Sequence, residues 1–363
     1  MNGAGEYPSG APPSLNIGFV STRFAGTDGV SLEAGKWARV FEGFGHRCFW
    51  FAGELDRDPA VSLLVPEAHF LHPDNAALSR QVFGRQTRSR GLTDEIHRQK
   101  ERLKERLYEF IARFALDLLV AENALAIPMH IPLGVALTEL IAETGIPAIG
   151  HHHDFFWERP RFLLNAIPDV LDMAFPPDLP SLKHAVINTV AQRDLAQKTG
   201  IAAHVIFNVA DFESAPTGLD DFNRSFRADM GFAEQDVLVL QPTRVVSRKG
   251  IEHALYLVQR LEVPNLHLLI SHSASDEGPE YLDWIKDTAR RQKVPVHFLY
   301  NRLRDTRHRD DHGQKLFTLW DVYPHADLVT YPSGYLPGVG WMAYCEDTEG
   351  NSFGLLQPDA KTD

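Results

Sequence analysis

Short apolar runs alternate with longer amphipathic stretches along this chain, a pattern that predicts strands and helices in turn. In the first half, the predicted strands are residues 15–20, 47–52, 116–121, 146–151 and 185–189. The predicted helices there are residues 32–44, 93–114, 131–144 and 190–199. Residues 66–92 are polar and show no clear period, so no element is predicted in them.

The same alternation starts again after a polar stretch at residues 211–224. Its predicted strands are residues 237–241, 266–271, 296–300 and 328–331, and its predicted helices are residues 251–261, 280–292 and 315–322. Strands that alternate with helices predict an open parallel sheet with a ligand crevice at the carboxyl ends of the strands. The sequence therefore predicts an α/β fold of two Rossmann-like domains facing across a cleft. A tail at 1–14 precedes an N-terminal domain at 15–208 and a C-terminal domain at 209–363.

The composition excludes several classes of protein and of partner. The chain has 363 residues, 44% of them hydrophobic, which is enough for two cores and argues against disorder. Its 36 basic and 48 acidic residues give a net charge of −12, which disfavours nucleic acid and anionic membranes as partners. No signal peptide or membrane-spanning run is recognisable. We expect a cytoplasmic protein with Cys48 and Cys345 as free thiols, and the oligomeric state stays open.

The first candidate site is the loop PTRVVSRKG, residues 242–250, between a predicted strand and a predicted helix. At the carboxyl end of a parallel strand, Arg244 and Lys249 could clamp a diphosphate, and the next helix would add its N-terminal dipole. The alternative is that both residues are solvated loop cations, and position alone does not separate the two.

The second candidate is HHHDFFWER, residues 151–159, which follows a predicted strand. Polar groups flanked by aromatic residues suit sugar or phosphate recognition, so His152, His153 and Asp154 are candidate substrate contacts. A metal site is disfavoured, because adjacent histidines do not share a face in an extended chain and no other His/Cys pair has ligand spacing. A purely structural histidine cluster is the open alternative.

Two weaker signals lie at the ends of other predicted strands. Gly26 and Gly29, in the loop at residues 22–31, would let backbone N–H groups approach a ligand, although a simple tight turn would also explain them. Glu122 and Asn123 follow the strand at 116–121. This pair could contact a ligand, or Asn123 could cap the next segment.

Taken together, five stretches in this order resemble the retaining, nucleotide-sugar-dependent glycosyltransferases of family four, which have the two-domain GT-B fold. The resemblance runs over residues 16–333 and is carried by NIGFVSTRFAGTDGVS, GHHHDFFWER, VIFNVADFE, LQPTRVVSRKGIEHAL and HADLVTYPS. It implies transfer of a sugar, with retention, from a nucleotide-sugar donor to an unidentified acceptor. It also implies that neither a metal nor another cofactor takes part.

The resemblance further implies roles for particular residues. Arg244 and Lys249 would hold the donor diphosphate and offset the negative charge that builds on the leaving nucleotide. His153 would lie near the transferred sugar and complete the predicted catalytic set. Gly29 would let the first loop approach the reacting centre, and Ser333 would contact the donor. Asn123, His152 and Asp154 are the predicted substrate-binding residues beside them.

The resemblance ends after Ser333. Family four has a Glu-Gly-Phe-Gly-like run there, whereas this chain has no glutamate between Ser333 and Glu346. We therefore expect residues 333–363 to be divergent and the second domain to be incomplete. The alternative function is a catalytically impaired protein that binds sugar nucleotides, or a partner, after loss of the acidic motif. A GT-B epimerase or phosphorylase is a second alternative enzyme.

Overall fold

The structure is a computed structural model that describes residues 13–26, 29–209, 218–261, 263–274, 280–304, 306–330, 334–336, 340–347 and 352–358. The chain divides into two compact units, Met1–Ala210 and Asp211–Asp363. Each unit contains parallel strands and helices, which confirms the predicted α/β class.

In the described residues of the first unit, seven parallel strands form one sheet. They are β1 (Asn16–Val20), β2 (Arg47–Ala52), β3 (Ser62–Leu64), β4 (Leu118–Glu122), β5 (Ala148–His152), β6 (Leu182–Val186) and β7 (Ala203–Val205). Their order across the sheet is β3-β2-β1-β4-β5-β6-β7, which puts β4 and β5 side by side near the centre. Parallel sheets are covered on both faces, which explains continuous apolar runs such as CFWFA in β2.

Helices pack on both faces of this sheet. They are α1 (Gly29–Gly43), α2 (Pro73–Val82), α3 (Arg90–Phe114), α4 (Ile131–Thr144), α5 (Pro160–Leu163), α6 (Pro168–Ala174) and α7 (Thr189–Thr199). In β1, Phe19 packs in the same cluster as Ala34 and Ala38 of α1. The next residue, Val20, belongs to the cluster that holds α3 and α4, because successive side chains of a strand point to opposite faces.

Helix α2 and strand β6 are two of the elements of the first unit that differ from the prediction. Helix α2 lies inside the stretch where no element is predicted, because its few buried positions, among them Asn75, do not produce an apolar period. Strand β6 begins at Leu182, three residues before the predicted strand at 185–189. That strand cannot continue to 189, since Asn188 caps α7 by accepting the N–H of Ala191 at 2.8 Å.

The described residues of the second unit contain a mixed sheet and a small two-stranded one. The strands are β8 (Val237–Gln241), β9 (Leu266–Ile270), β10 (Val296–Phe298), β11 (His308–Arg309), β12 (Lys315–Leu316), β13 (Leu328–Thr330), β14 (Gly334–Leu336), β15 (Gly340–Asp347) and β16 (Ser352–Pro358). The helices are α8 (Phe226–Asp229), α9 (Ile251–Leu261), α10 (Glu280–Gln292) and α11 (Leu319–Val322). The order β10-β9-β8-β13 is parallel, and β8 lies inside it.

The predicted helix at 315–322 is wrong in its first half. Residues 315–316 are β12, which pairs antiparallel with β11. The helix begins only at Leu319 because Thr318 forms its N-terminal cap. The carboxylate of Asp321 accepts the backbone N–H of Thr318 at 2.8 Å and its hydroxyl at 2.9 Å.

The C-terminal segment extends the second sheet in the antiparallel sense. Strand β15 pairs antiparallel with β13, β14 and β16. The divergent residues 333–363 therefore include three strands that add to the predicted parallel core. Within the described residues, no helix combines the length and the apolarity needed to cross a membrane.

Candidate functional site

Two neighbouring strands near the centre of the first sheet end in polar residues. Glu122 ends β4, and it lies opposite His151 in the parallel register with β5. The carboxyl ends of parallel strands meet at one edge of a sheet, where ligands bind in open α/β folds. Because side chains alternate along an extended chain, His151 and His153 fall on the face of Glu122, and His152 falls on the other.

Glu122 is a fully buried carboxylate between two imidazoles. Its Oε2 accepts a hydrogen bond from Nδ1 of His151 at 2.9 Å and lies 3.5 Å from Nε2 of His153. Burial acts to raise the pKa of Glu122, but the two imidazoles outweigh burial and hold that pKa below its ordinary value. Glu122 is therefore ionised at neutral pH. It accepts a hydrogen bond from His151, whereas Nε2 of His153 faces it at 3.5 Å without forming one.

His153 has one buried and one accessible ring nitrogen. Its Nε2 is enclosed and faces Glu122, whereas its Nδ1 lies 3.3 Å from Nδ2 of the exposed Asn208. The side chain as a whole is 12% exposed, so only one edge of the ring reaches the surface. The catalytic role predicted for His153 requires that exposed edge.

Asn123 joins the two strand ends through its side-chain amide. Its Oδ1 accepts the backbone N–H of His153 at 3.0 Å, and its Nδ2 donates to Oδ1 of Asp154 at 2.9 Å. The residue has a φ of 57°, in the left-handed region that asparagine adopts more readily than most residues. These bonds run across to the end of β5 rather than into the following segment. Asn123 and Asp154 therefore lie together with His153, as the predicted site requires.

The loop after His153 is closed by its own polar groups. Asp154 forms an ion pair with Arg159, and Glu158 accepts the backbone N–H of Phe155 at 2.8 Å. Burial raises the pKa of Glu158. Phe155 stacks on Trp157 with ring centroids 4.5 Å apart, which fixes the aromatic part of the loop.

His152 does not join this group. It is fully buried, and its Nε2 lies 2.9 Å from Nδ1 of His184 in β6. Burial lowers the pKa of both rings, and it lowers that of His184 to about 4, so the pair is neutral at pH 7. The predicted substrate contact of His152 is corrected accordingly, because the side chain is a core residue that alternation turns away from the edge.

The glycine loop leads from β1 into α1 next to this edge. Gly26 has a φ of 72° and donates its N–H to Oδ2 of Asp56 at 2.8 Å, so the turn requires glycine there. Gly29 is exposed at the start of α1, and a Cβ added to it would meet no described atom within 4 Å. From α1, Trp37 stacks on His151 with ring centroids 4.2 Å apart. The approach of Gly29 to a reacting centre stays a prediction.

The cationic loop of the second unit follows β8 and leads into α9. Val245 and Val246 are fully buried and anchor it, and Nε2 of Gln241 donates to the carbonyl of Lys249 at 3.0 Å. Arg244 and Lys249 themselves are half-buried. The strand, loop and helix thus place both cations at the carboxyl end of β8, where the sequence predicts them.

The loop after β9 lies against the cationic loop. The N–H of Val245 donates to the carbonyl of Ser273 at 3.2 Å. Burial, and then the positive charge of Arg244, lower the pKa of His272. No sequence pattern singles out His272, because only the pairing of β8 with β9 brings it to this edge. Ser333, the predicted donor contact, lies outside the described residues.

Among the described residues, one group of histidine and carboxylate side chains could hold a metal ion. It consists of Glu122, His151 and His153, whose ligand atoms lie within 4.8 Å of one another. Two imidazoles and one carboxylate are a donor set that divalent transition metals accept. Adjacent histidines disfavour a metal site, but 151 and 153 are two residues apart and lie on one face of an extended chain, a spacing that points to this histidine pair.

No family model matches the chain, but two curated relatives do. The mannosylglucosylglycerate synthase of Petrotoga mobilis is 29% identical over 349 residues, which cover 90% of this chain and 78% of the relative. The mannosylglucosylglycerate synthase of Thermotoga maritima is 32% identical over 343 residues, which cover 88% of this chain and 75% of the relative.

Solved structures share the fold at low identity. Sucrose-phosphate synthase from Thermosynechococcus elongatus has a TM-score of 0.57 at 13% identity, and the match covers 88% of this chain and 77% of the synthase chain. A glycosyltransferase from Rickettsia africae has a TM-score of 0.53 at 10% identity, over 88% of this chain and 72% of that one. Anabaena HepE in complex with UDP-glucose has a TM-score of 0.51 at 13% identity over 87% and 73%. These likenesses confirm the predicted GT-B fold.

Proposed function

The chain belongs to the family of GT-B glycosyltransferases that contains the mannosylglucosylglycerate synthases, and from that premise we propose its reaction. It transfers a hexosyl group from a nucleotide-sugar donor to glucosylglycerate, and mannose is the hexose that the proposal names first. The 32% identity to the Thermotoga maritima synthase over 88% of this chain is the observation that carries the proposal.

Donor activation is assigned to the second unit. Breaking the bond between the anomeric carbon and the diphosphate leaves two electrons and a growing negative charge on the nucleotide. Arg244 offers a planar fork of donors and Lys249 a compact charge, and both stand on the loop after β8. Fixed cations that stabilise this charge lower the barrier to departure of the leaving group.

The sugar is assigned to the polar edge of the first unit. His153, Asn123 and Asp154 lie there together, and hydroxyl groups of a hexose need such donors and acceptors. These polar contacts orient the sugar at this edge. His153 is the catalytic residue among them, because its accessible Nδ1 can reach a substrate hydroxyl.

We also propose that the transfer retains the anomeric configuration and needs no metal ion. The support is the resemblance of the five sequence stretches to family four, together with the two cations that take the place of a divalent ion on the diphosphate. We also propose a cytoplasmic setting, because two cysteines in 363 residues are not the pattern of a disulfide-stabilised secreted protein.

The test begins with calorimetric titration of GDP, UDP and ADP into the full chain. Transfer from the matching nucleotide-mannose, and from the nucleotide-glucose, to glucosylglycerate is then followed by mass spectrometry. NMR of the product gives the anomeric configuration, and a parallel reaction in EDTA reports on metal dependence. We expect one nucleotide to bind and a retained glycoside to form in both buffers.

Two results would count against this function. Folded protein that binds none of the three nucleotides contradicts it outright. Donor binding without product in a single-turnover assay favours the alternative of a binding protein that has lost its activity. Activity that EDTA abolishes and Mn²⁺ restores contradicts only the metal-free part of the proposal.

A further inference from the structure

Glu122 is a buried carboxylate to which the reaction proposed above gives no task. Its exposed fraction is 0%, so it does not touch a substrate. Its own backbone carbonyl accepts the hydroxyl of Ser21 at 3.0 Å, which fixes the end of β4. A carboxylate costs several kcal/mol to bury unless partners offset the loss of water. A group kept at that cost, and out of reach of substrate, acts through its neighbours.

The neighbours of Glu122 are the two imidazoles on its face. Oε2 is shared between Nδ1 of His151 at 2.9 Å and Nε2 of His153 at 3.5 Å. The second contact is the longer one, and it places the carboxylate against the inward nitrogen of His153. A carboxylate accepts hydrogen bonds and cannot donate one.

This arrangement distinguishes the two nitrogens of His153. A proton on Nε2 is directed into the protein toward Glu122, so in the neutral ring Nδ1 carries the lone pair. Nδ1 is the nitrogen at the exposed edge, where Nδ2 of Asn208 lies 3.3 Å away. The side-chain amide of Asn208 thus occupies a position that a substrate hydroxyl, also a donor, would take.

The backbone and the flanking ring restrict His153 further. Asn123 accepts its backbone N–H at 3.0 Å. The ring of His151 lies 4.7 Å from that of His153, and Trp37 stacks on the far side of His151. The main chain and one ring face are therefore held by other residues, and Glu122 is left to set the rotation of the ring.

We propose that Glu122 is a positioning residue for His153: its carboxylate holds Nε2–H inward and so presents Nδ1 to the sugar. The inference rests on the proposed function, in which His153 contacts the transferred sugar. It adds which nitrogen makes that contact and which residue selects it. Glu122 accepts a hydrogen bond throughout and exchanges no proton with the substrate.

The experiment compares two replacements of His153 that keep a polar group at one nitrogen each. His153→Asn places its amide near the position of Nδ1, and His153→Gln places its amide near Nε2. We expect His153→Asn to retain at least tenfold more transfer rate than His153→Gln. Glu122→Gln in the wild-type background should lower kcat about tenfold with the donor KM unchanged. In the His153→Asn background the same change should have less than a twofold effect.

Two measurements separate positioning from loss of fold. Glu139→Gln, which alters a carboxylate paired with Lys100 and Lys104 on the outer helices, is the matched control and should keep kcat. Ring ¹⁵N NMR, with His153 assigned from the His153→Asn spectrum, should give the Nε2–H tautomer in the wild type and a tautomer mixture in Glu122→Gln. This signal needs no turnover. It therefore tests the inference independently of the transfer assay, which tests the proposed function.

The inference is overturned by any of four outcomes. His153→Gln could match or exceed His153→Asn, Glu122→Gln could act equally in both backgrounds, or the wild-type ring could carry its proton on Nδ1. A stoichiometric metal ion in the purified protein, with ring shifts that change when a chelator removes it, would also overturn it, because Nε2 would then be a ligand.

Discussion

At the carboxyl edge of the first sheet, Glu122, His151 and His153 are packed against one another, whereas the same edge of the second sheet carries Arg244 and Lys249 on a half-buried loop. The first group is enclosed in the protein, and it offers the surface one ring nitrogen. The second group consists of two cations. Under the proposed function, the contrast teaches that the first edge orients the sugar and the second holds the anionic diphosphate.

The largest expected effect is on transfer when the first edge loses its exposed nitrogen. His153→Ala should slow transfer about 100-fold, the usual cost of removing one polar group that acts on a transition state. The dissociation constant of the nucleoside diphosphate should not change. Kinetics and calorimetry on His204→Ala, which alters an exposed histidine of β7, provide the control. An equal loss of binding and transfer in His153→Ala would erase the contrast between the two edges.

The reverse result is expected from the second edge. Arg244→Ala and Lys249→Ala should each weaken nucleoside diphosphate binding by about 1–3 kcal/mol, the range for a charged hydrogen bond. Arg260→Ala, near the end of α9 in the same unit, removes a cation that lies over Tyr256 and should leave binding intact. Wild-type affinity in both loop variants would refute the diphosphate assignment.

The next expected effect is smaller: the stability of the two units should depend differently on acid pH. Burial lowers the pKa of His130 to about 4, so the folded state keeps this ring neutral while the unfolded chain takes up a proton below about pH 6.5. The free energy of unfolding that comes with a neutral His130 is therefore fully present at neutral pH and is lost as pH falls from about 6.5 to 4. The loss between pH 7 and 5 should be about 2 kcal/mol for this one group.

His130→Asn should remove most of that pH dependence in urea unfolding at pH 7 and pH 5. The asparagine can still cap α4, as Nδ1 of His130 does by accepting the N–H of Leu133 at 3.3 Å. His325→Asn in the second unit is the matched change, since burial also lowers the pKa of that buried ring. An unchanged pH dependence in His130→Asn would show that the ring is not buried neutral.

The smallest effect on stability is expected at the glycine loop. Gly26→Ala should cost about 1 kcal/mol in the free energy of unfolding, because alanine disfavours a φ of 72°. Gly29→Ala should change it by less than about 0.5 kcal/mol, because the added methyl group meets nothing. A lowered kcat/KM for the donor in Gly29→Ala, at an unchanged melting temperature, would place a substrate against Gly29. Unchanged kinetics would remove Gly29 from the site.

Much of the fold follows from the sequence because the pattern is local. Residues 131–144, 251–261 and 280–292 are helices with the predicted bounds, since each has a complete apolar stripe and a clear end. The predicted helix at 315–322 failed because its apolar spacing also fits a strand, and a cap at Thr318 decides between them. The antiparallel pairing of β15 with β13, β14 and β16 was missed because no strand was predicted after residue 331.

The candidate site was predictable only in part. Loops after strands point to the carboxyl edge, so His153, Asn123 and Arg244 could be placed from element order alone. The position of Glu122 Oε2 against both imidazoles could not be predicted, because it depends on β4 and β5 being neighbours and on their register. His152 was misassigned although alternation alone turns it away from His151 and His153. His272 had no signal in the sequence beyond its position after β9.

The stack of Trp37 on His151 has a practical consequence. Indole emission is quenched by a nearby protonated imidazole and is sensitive to the polarity of its surroundings. The chain thus carries an intrinsic optical reporter against the ring that shares a carboxylate with His153. Acceptor titrations could be followed without any label, and the difference between the wild type and Trp37→Phe would isolate Trp37 from the other five tryptophans.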